Sequence, residues 1–177
     1  MKYELHRWKE KYVSLLPRYA GDSGMFENMP DDFPRPFTQE SARRFMDSRQ
    51  LAEDSEEYAR AIIIDGEVAG SVLIRRLSGS RRCCASVEFW LGEPFRERGI
   101  MSAALREACS EAFKSLGVTR IHAEVPAPVS AARGALNNAG FDLEGRLDRG
   151  VLYGGRPVEL CVYGLIKEEN DSLYSEE

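Results

Sequence analysis

The sequence lacks several features that would assign it to a common functional class. Its 177 residues include only two histidines and four cysteines, and no two cysteines have the C-x-x-C spacing of a zinc site. The longest apolar run, residues 61–64, is far shorter than the roughly 20 residues that a bilayer span needs. The charged N-terminus has no apolar stretch like that of a signal peptide. We therefore expect no metal site, no membrane association and a cytoplasmic location.

Positive charge does not dominate the sequence, because 24 Lys and Arg residues are outnumbered by 29 Asp and Glu residues and the formal net charge is −5. A nucleic-acid-binding protein usually carries a basic patch or stripe, and none is visible here. Neither G-x-x-x-x-G-K-[ST] nor G-x-G-x-x-G occurs, which excludes a Walker-type loop and a dinucleotide-binding fingerprint. The acidic balance weakly favours a cationic substrate.

The four cysteines are Cys83, Cys84, Cys109 and Cys161. If the adjacent pair lies on a strand, its two side chains point to opposite faces and cannot easily bind one metal. We expect reduced and mostly buried thiols.

Apolar periodicity predicts an α/β domain with a mixed sheet and flanking helices. Strands are predicted at 2–7, 58–64, 68–77, 82–91, 118–125, 141–147 and 158–166, and helices from about residue 8, from Thr38 to about Ala52, at 99–116 and at 130–139. Asp65-Gly66 predicts a tight hairpin, and Gly117 and Gly140 predict helix ends. We expect one domain over 1–167 and a polar tail over 168–177.

The segment with the clearest chemical signal runs from Phe89 to Ser102. A strand ends there, and a helix opens with the pattern Arg96-x-x-Gly99. A helix N-terminus has unpaired N–H groups and a partial positive charge, both of which suit a pyrophosphate. Gly99 allows close backbone approach, and Arg96 and Arg98 can add charge-assisted contacts. An isolated R-x-x-G is common, so alone it favours a plain turn.

The chain resembles the RimJ/RimL-like branch of the GNAT acetyltransferases. The matching segments, in family order, are FPRPFT (33–38), IIIDGEVAGSVLI (62–74), SVEFWLGEPFRERGIMSAALREACSEAF (86–113), GVTRIHAEV (117–125) and LNNAGFDLEGRL (136–147). The resemblance implies the GNAT acyl-CoA N-acyltransferase fold, with acetyl-CoA as acyl donor. It further implies that the strand ending at Leu91 separates from strand 118–125 and admits the pantetheine arm.

By the same resemblance, the cofactor-binding residues follow the family's [QR]-x-x-G-x-[GA] motif. They are Leu91, Arg96, Arg98, Gly99, Ile100, Met101 and Ser102. Three positions depart from the common pattern. Met101 replaces a small residue, which this branch often tolerates, and Leu136 replaces a frequent Tyr acid, as is normal in this branch. Val129 replaces the Asn that commonly contacts pantetheine, and this departure matters more.

Glu88 is the first candidate for the general base that takes a proton from the amine. It precedes Phe89 on the strand leading to the CoA loop, and Glu124 on strand 118–125 is the second candidate.

We interpret the other candidates as structural: Tyr153 as a turn residue, Ser130 as a helix N-cap, and Cys161 and His122 as packing residues. Trp90 and Phe37 could line an amine pocket, although single aromatics usually belong to a core.

The resemblance predicts an N-acetyltransferase acting on a primary amine, either a protein N-terminal α-amine or a small molecule. Two alternatives stay open: a CoA-binding regulatory module with little turnover, and an acyltransferase for a longer acyl chain. A monomer and a homodimer are both compatible with the sequence.

Overall fold

The computed structural model describes residues 2–15, 38–50 and 55–168. In chain order, its strands and helices are β1 (Glu4–His6), α1 (Gln39–Gln50), β2 (Glu57–Ile64), β3 (Glu67–Arg76), β4 (Cys84–Leu91), α2 (Ile100–Ser115), β5 (Arg120–Pro126), α3 (Ser130–Ala139), β6 (Asp142–Tyr153) and β7 (Arg156–Ile166). Short 3₁₀ turns lie at Glu10–Tyr12, Gly79–Arg81 and Glu93–Phe95.

The strands form one mixed sheet in the order β1-β2-β3-β4-β5-β7-β6. Every neighbouring pair is antiparallel except β4 and β5, which run parallel. The parallel pair is connected through α2, because two parallel neighbours need a long crossover. The mixed α/β architecture predicted from the sequence is confirmed.

One face of the sheet is covered by α2 and α3, and we call it the helix face. The predicted apolar stripe of α2 is buried there, and α2 packs against β2 and β3. Its members are Ile100, Ala104, Leu105, Ala108, Ala112 and Leu116, each at most 4% exposed. Both predicted helix ends are confirmed, since Gly117 and Gly140 adopt φ values of +63° and +98°.

The opposite face carries a second, smaller cluster, and we call it the outer face. Trp8, Tyr12 and Ala42 pack there against residues of β2, β3 and β4. Thr38 caps α1 as predicted, because its Oγ1 accepts a hydrogen bond of 3.1 Å from the Ser41 amide. The α-helix predicted from residue 8 is wrong within the described part, where Glu10–Tyr12 forms a single 3₁₀ turn.

The last hairpin is longer than predicted. Strand β6 continues to Tyr153 and strand β7 already begins at Arg156, so the two strands directly flank the expected Gly154-Gly155 turn. Periodicity missed the extension because most of β6 is exposed and polar, so its strand state depends on pairing with β7. Apart from Glu168, the predicted tail at 168–177 lies outside the described residues.

The prediction of mostly buried thiols is half right. Cys109 and Cys161 are buried, but Cys83 is exposed and Cys84 is partly exposed. Cys83 precedes β4, so the expected alternation does not apply, and the Cys83 and Cys84 sulfurs lie 3.7 Å apart. Within residues 2–15, 38–50 and 55–168, no helix is long and apolar enough to cross a membrane.

Candidate active site

The site begins where β4 and β5 part. The two strands pair only over Cys84–Ser86 and Arg120–His122, although each continues for several residues. In the described structure, residues 87–91 of β4 therefore have no pairing partner on the β5 side. The separation predicted for the strand ending at Leu91 is present, and it leaves main-chain polar groups available inside the sheet.

Glycine in β3 fixes the end of β4. Gly70 pairs with Leu91, and a Cβ at position 70 would overlap the Trp90 carbonyl oxygen. Only glycine therefore permits this approach of the two strands. The Gly92 amide then donates a 2.8 Å hydrogen bond to the Ala69 carbonyl, which anchors the loop toward α2.

The N-terminus of α2 faces the same opening. Gly99 is its N-cap residue with φ +72° and ψ 0°, and among the described residues no side chain forms a capping hydrogen bond. The amides of Ile100, Met101 and Ser102 have no intrahelical acceptor, because the first turn of a helix leaves its N–H groups unpaired. Glu97, a non-glycine residue, also has a positive φ of +60°. Such strained backbone persists where surrounding structure enforces it, commonly at functional sites.

A cavity of about 400 Å³ connects these features. Its walls come from the end of β4, the loop before α2, the first turn of α2, and α3 with the residue before it. Its lining comprises Phe89, Trp90, Leu91, Phe95, Arg96, Glu97, Gly99, Ile100, Met101, Ser102, Val129, Ser130, Ala131, Ala132, Gly134, Ala135 and Asn138.

Six of the seven predicted cofactor-binding residues line this cavity, and Arg98 does not. The Arg98 side chain is exposed instead. Sequence reasoning missed Glu97, Phe95 and the part of the α3 wall that follows Val129 and Ser130, including Gly134 and Asn138. No local motif marks those α3 residues, since only the packing of α3 beside α2 brings them to the cavity.

Arg96 stabilises the site from within. Its Nε donates a 2.8 Å hydrogen bond to the Leu91 carbonyl, which joins the loop before α2 to the last residue of β4. The same residue lines the cavity. Arg96 therefore fixes the strand end in addition to the anion contact predicted for it.

Val129 stands at the N-terminus of α3, where the family pattern has Asn. It is 8% exposed, belongs to the main core and lines the cavity. It is also the N-cap residue of α3, so the prediction that Ser130 is the N-cap is wrong. The Ser130 amide donates 2.9 Å to the Pro128 carbonyl and is thus already engaged.

Glu88 lies on the outer face, opposite its neighbours Val87 and Phe89, which pack on the helix face. Its side chain is 39% exposed, and an oxygen lies 4.0 Å from an Arg75 guanidinium nitrogen. Arg75 also pairs at 3.0 Å with Glu57, whose side chain is 6% exposed. Glu88 is not among the residues that line the cavity.

Glu124 takes the equivalent position on β5. Ser86 and His122 form the last residue pair between β4 and β5. Glu88 and Glu124 each lie two positions further along their strand and therefore on the same face of the sheet as that pair. Both carboxylates therefore flank the opening on the outer face. Burial, followed by repulsion from Arg81, lowers the pKa of the half-buried His122.

The other candidates have structural surroundings. Cys161 is fully buried opposite Val125, and Tyr153 ends β6 at the hairpin turn. Trp90 is 5% exposed within the outer-face core and also lines the cavity. Phe37 lies outside the described residues.

Within residues 2–15, 38–50 and 55–168, no group of three or more His, Cys, Asp or Glu side chains is arranged to bind a metal.

Comparison with known proteins identifies a family that matches most of this chain. The model of the family described as acetyltransferase (GNAT) domain matches residues 4–142. A Bacillus subtilis (strain 168) protein with the provisional name ribosomal N-acetyltransferase YdaF is 26% identical over 123 residues, covering 70% of this chain and 67% of that protein.

Two solved structures have the same fold. RimL, a ribosomal α-N-protein acetyltransferase in complex with coenzyme A, superposes with a TM-score of 0.82 at 20% identity, covering 94% of this chain and 95% of RimL. Mycobacterium smegmatis RimJ, in complex with a CoA disulfide, gives 0.81 at 19% identity, covering 99% of this chain and 85% of RimJ.

Proposed function

The chain belongs to the acetyltransferase (GNAT) domain family, and from this premise we propose that it acetylates the N-terminal α-amine of a protein. Family membership makes the protein an acetyl-CoA-dependent N-acyltransferase that modifies a primary amine. The Bacillus subtilis relative and RimL are both named for ribosomal proteins, which supports a protein acceptor here, although another structural neighbour is named for microcin C7 self immunity.

The observation that carries the proposal is the opening between β4 and β5. The cavity lies largely on the helix face, whereas Glu88 and Glu124 flank the opening on the outer face. An acyl donor held in the cavity could present its thioester in the opening, and an amine could approach from the outer face. Acidic residues on that side attract a cationic amine and can accept its proton.

The residues present fit coenzyme A. The first turn of α2 offers unpaired amides and the positive end of a helix dipole to the pyrophosphate, and Gly99 leaves the space beside it open. The unpaired edge of β4 from Val87 to Leu91 offers main-chain groups to the amide-bearing pantetheine arm. Coenzyme A supplies the activated acyl thioester, and the protein positions it.

For the proton, we propose Glu88 as general base and Glu124 as the alternative. The attacking amine must be neutral, so a carboxylate on its approach path promotes the reaction by accepting a proton directly or through water. Unpaired β4 amides beside the opening would stabilise negative charge on the carbonyl oxygen. An ordinary thiol has a pKa near 8.5, so the leaving thiolate needs little acid assistance.

We propose a single domain over residues 1–167, located in the cytoplasm and active as a monomer or homodimer. The family model ends at residue 142, but β7 pairs with β5 and β6 pairs with β7. The final hairpin therefore extends the same sheet and borders the opening on its β5 side.

Acetyl transfer from acetyl-CoA to a panel of amines tests the proposal. The panel contains peptides with a free N-terminus, the same peptides with a blocked N-terminus, and small primary amines. We expect kcat/KM to be highest for free N-termini and to disappear when the terminus is blocked. Equal turnover of blocked peptides, or turnover of small amines alone, would contradict a protein N-terminal acceptor.

A CoA-binding regulatory module is the second candidate, and Val129 is the observation that favours it. An apolar side chain lines the cavity where relatives commonly provide an amide. The two candidates differ in turnover, because a regulatory module binds CoA but acetylates none of the amines. Competition between acetyl-CoA and longer acyl-CoA thioesters tests the remaining alternative, a longer acyl donor.

A further inference from the structure

Two thiols meet at the surface at the start of β4, remote from the cavity. The sulfurs of Cys83 and Cys84 are 3.7 Å apart, and both cysteines are free. Cys83 is exposed and Cys84 is partly exposed, in contrast to the buried Cys109 and Cys161. Leu91 lies seven positions after Cys84, about 23 Å along a strand. The acyl-transfer site leaves this pair without a role.

The geometry of these adjacent cysteines disfavours a disulfide between them. Adjacent Cα atoms across a trans peptide lie about 3.8 Å apart, whereas disulfides need roughly 4.4–6.8 Å. Disulfide formation would also move the peptide group between the two cysteines. The carbonyl of that group belongs to Cys83 and accepts hydrogen bonds from the Thr119 amide at 2.9 Å and the Thr119 hydroxyl at 3.3 Å. The reduced dithiol is therefore the favoured state.

The sulfur separation does suit one bridging atom. With bonds near the roughly 2.3 Å of a metal–thiolate bond, a linear centre needs sulfurs about 4.6 Å apart, and a right-angled centre needs about 3.3 Å. The observed 3.7 Å is closer to the bent arrangement. Among the described residues, no third His, Cys, Asp or Glu completes a metal site, which disfavours zinc and its four ligands.

The surroundings separate the roles of the two sulfurs. Burial, followed by the contact with Cys83, raises the pKa of Cys84. The exposed Cys83 sulfur is therefore the one that a reagent meets first, and the Cys84 sulfur lies within reach for a second bond. Thr119 holds the intervening carbonyl, so the two sulfurs are already close before any ligand binds.

We propose that Cys83 and Cys84 form a bidentate thiol site for a pyramidal thiophilic centre of the trivalent arsenic type. With phenylarsine oxide, two arsenic–sulfur bonds form and the arsenic–oxygen bond is lost. The two thiol protons leave with that oxygen as water, and arsenic stays trivalent. This site is independent of acyl transfer.

Titration of the full-length protein with phenylarsine oxide tests the site. We expect one arsenic per chain, loss of two titratable thiols, and an adduct on the tryptic peptide that contains both cysteines. The adduct should resist excess monothiol and dissociate with a dithiol, because two bonds to one centre give an effective concentration advantage of roughly 10²–10⁴.

Single variants provide the matched controls. Cys83→Ser and Cys84→Ser each keep one sulfur, so each should weaken arsenical retention about 100-fold or more. Retention close to wild type in either variant would overturn the proposal. Mapping of the wild-type adduct to Cys109 or Cys161 would also overturn it, and that measurement does not depend on the folding of any variant.

Discussion

The two ends of the β4–β5 pair differ although they belong to the same strands. At the start, Cys84–Ser86 pairs with Arg120–His122, and Thr119 hydrogen bonds to Cys83 extend the contact. At the other end the strands part, and a cavity reaches the opening between them. The paired end supplies rigidity, and the open end supplies unsatisfied main-chain groups for a ligand. Function is therefore expected where regular pairing stops.

The largest expected effect comes from blocking the open end at the α2 N-terminus. Gly99→Glu should abolish CoA binding while the fold persists, because it places a carboxylate where a pyrophosphate should bind. A Cβ at Gly99 meets no atom of the described residues within 4 Å, so this part of the structure has room for a side chain. Calorimetric CoA titration measures the loss.

Gly117→Glu is the matched control, because it introduces the same residue at the other end of α2. Gly117 also has a positive φ, and in the described part of the chain no atom lies within 4 Å of its Cβ position. Both variants therefore carry a similar left-handed backbone cost of about 1–2 kcal/mol. Gly117→Glu should retain CoA binding. Unchanged affinity in a folded Gly99→Glu protein would show that the CoA site lies elsewhere.

The second effect concerns the acids that flank the opening. Glu88→Gln should lower kcat about 100-fold or more and leave CoA affinity almost unchanged, because a general base acts on the amine. Glu124→Gln is the comparison on the facing strand. Steady-state kinetics distinguish them, and a large loss in Glu124→Gln alone would transfer the role of base to β5.

A smaller effect is expected at Val129 on the α3 wall. Val129→Asn adds an amide where the apolar side chain lines the cavity. One neutral hydrogen bond contributes about 0.5–1.5 kcal/mol, so CoA affinity should improve by no more than roughly tenfold. CoA titration of both forms measures this. A gain of several hundredfold would favour the regulatory module over the enzyme.

The smallest expected effect concerns the stability of the protein and involves His122, which forms the last residue pair between β4 and β5 with Ser86. Burial, followed by repulsion from Arg81, lowers the pKa of His122, so the unfolded chain takes up this proton at a higher pH than the folded protein. The free energy of unfolding should therefore decrease as pH falls below about 6.5, with no contribution well above it.

Urea unfolding at pH 7.5 and pH 5.5 checks this pH dependence in wild type and His122→Asn. The variant should lose less stability between the two pH values, because it lacks the imidazole. An equal loss in both proteins would assign the acid sensitivity to other groups.

Particular residues show how far the sequence predicts the site. Arg96 and Gly99 could be found because the chemistry of a helix N-terminus is local, and both line the cavity. Glu97 could not, because its positive φ follows from the path between β4 and α2. The sequence also could not predict that Arg98 lies outside the cavity lining, because a motif does not reveal which way a loop side chain points.

The sequence by itself determined the mixed α/β class, the bounds of α2, the Asp65-Gly66 turn and the family resemblance. These follow from periodicity, turn chemistry and local motifs, which act over a few residues. Only the tertiary structure decided that β4 and β5 part after three pairs, that α3 forms a cavity wall, and that Glu88 and Glu124 flank one opening. The physical reason is that these features depend on the relative placement of strands and helices distant in sequence, which main-chain pairing and core packing set together.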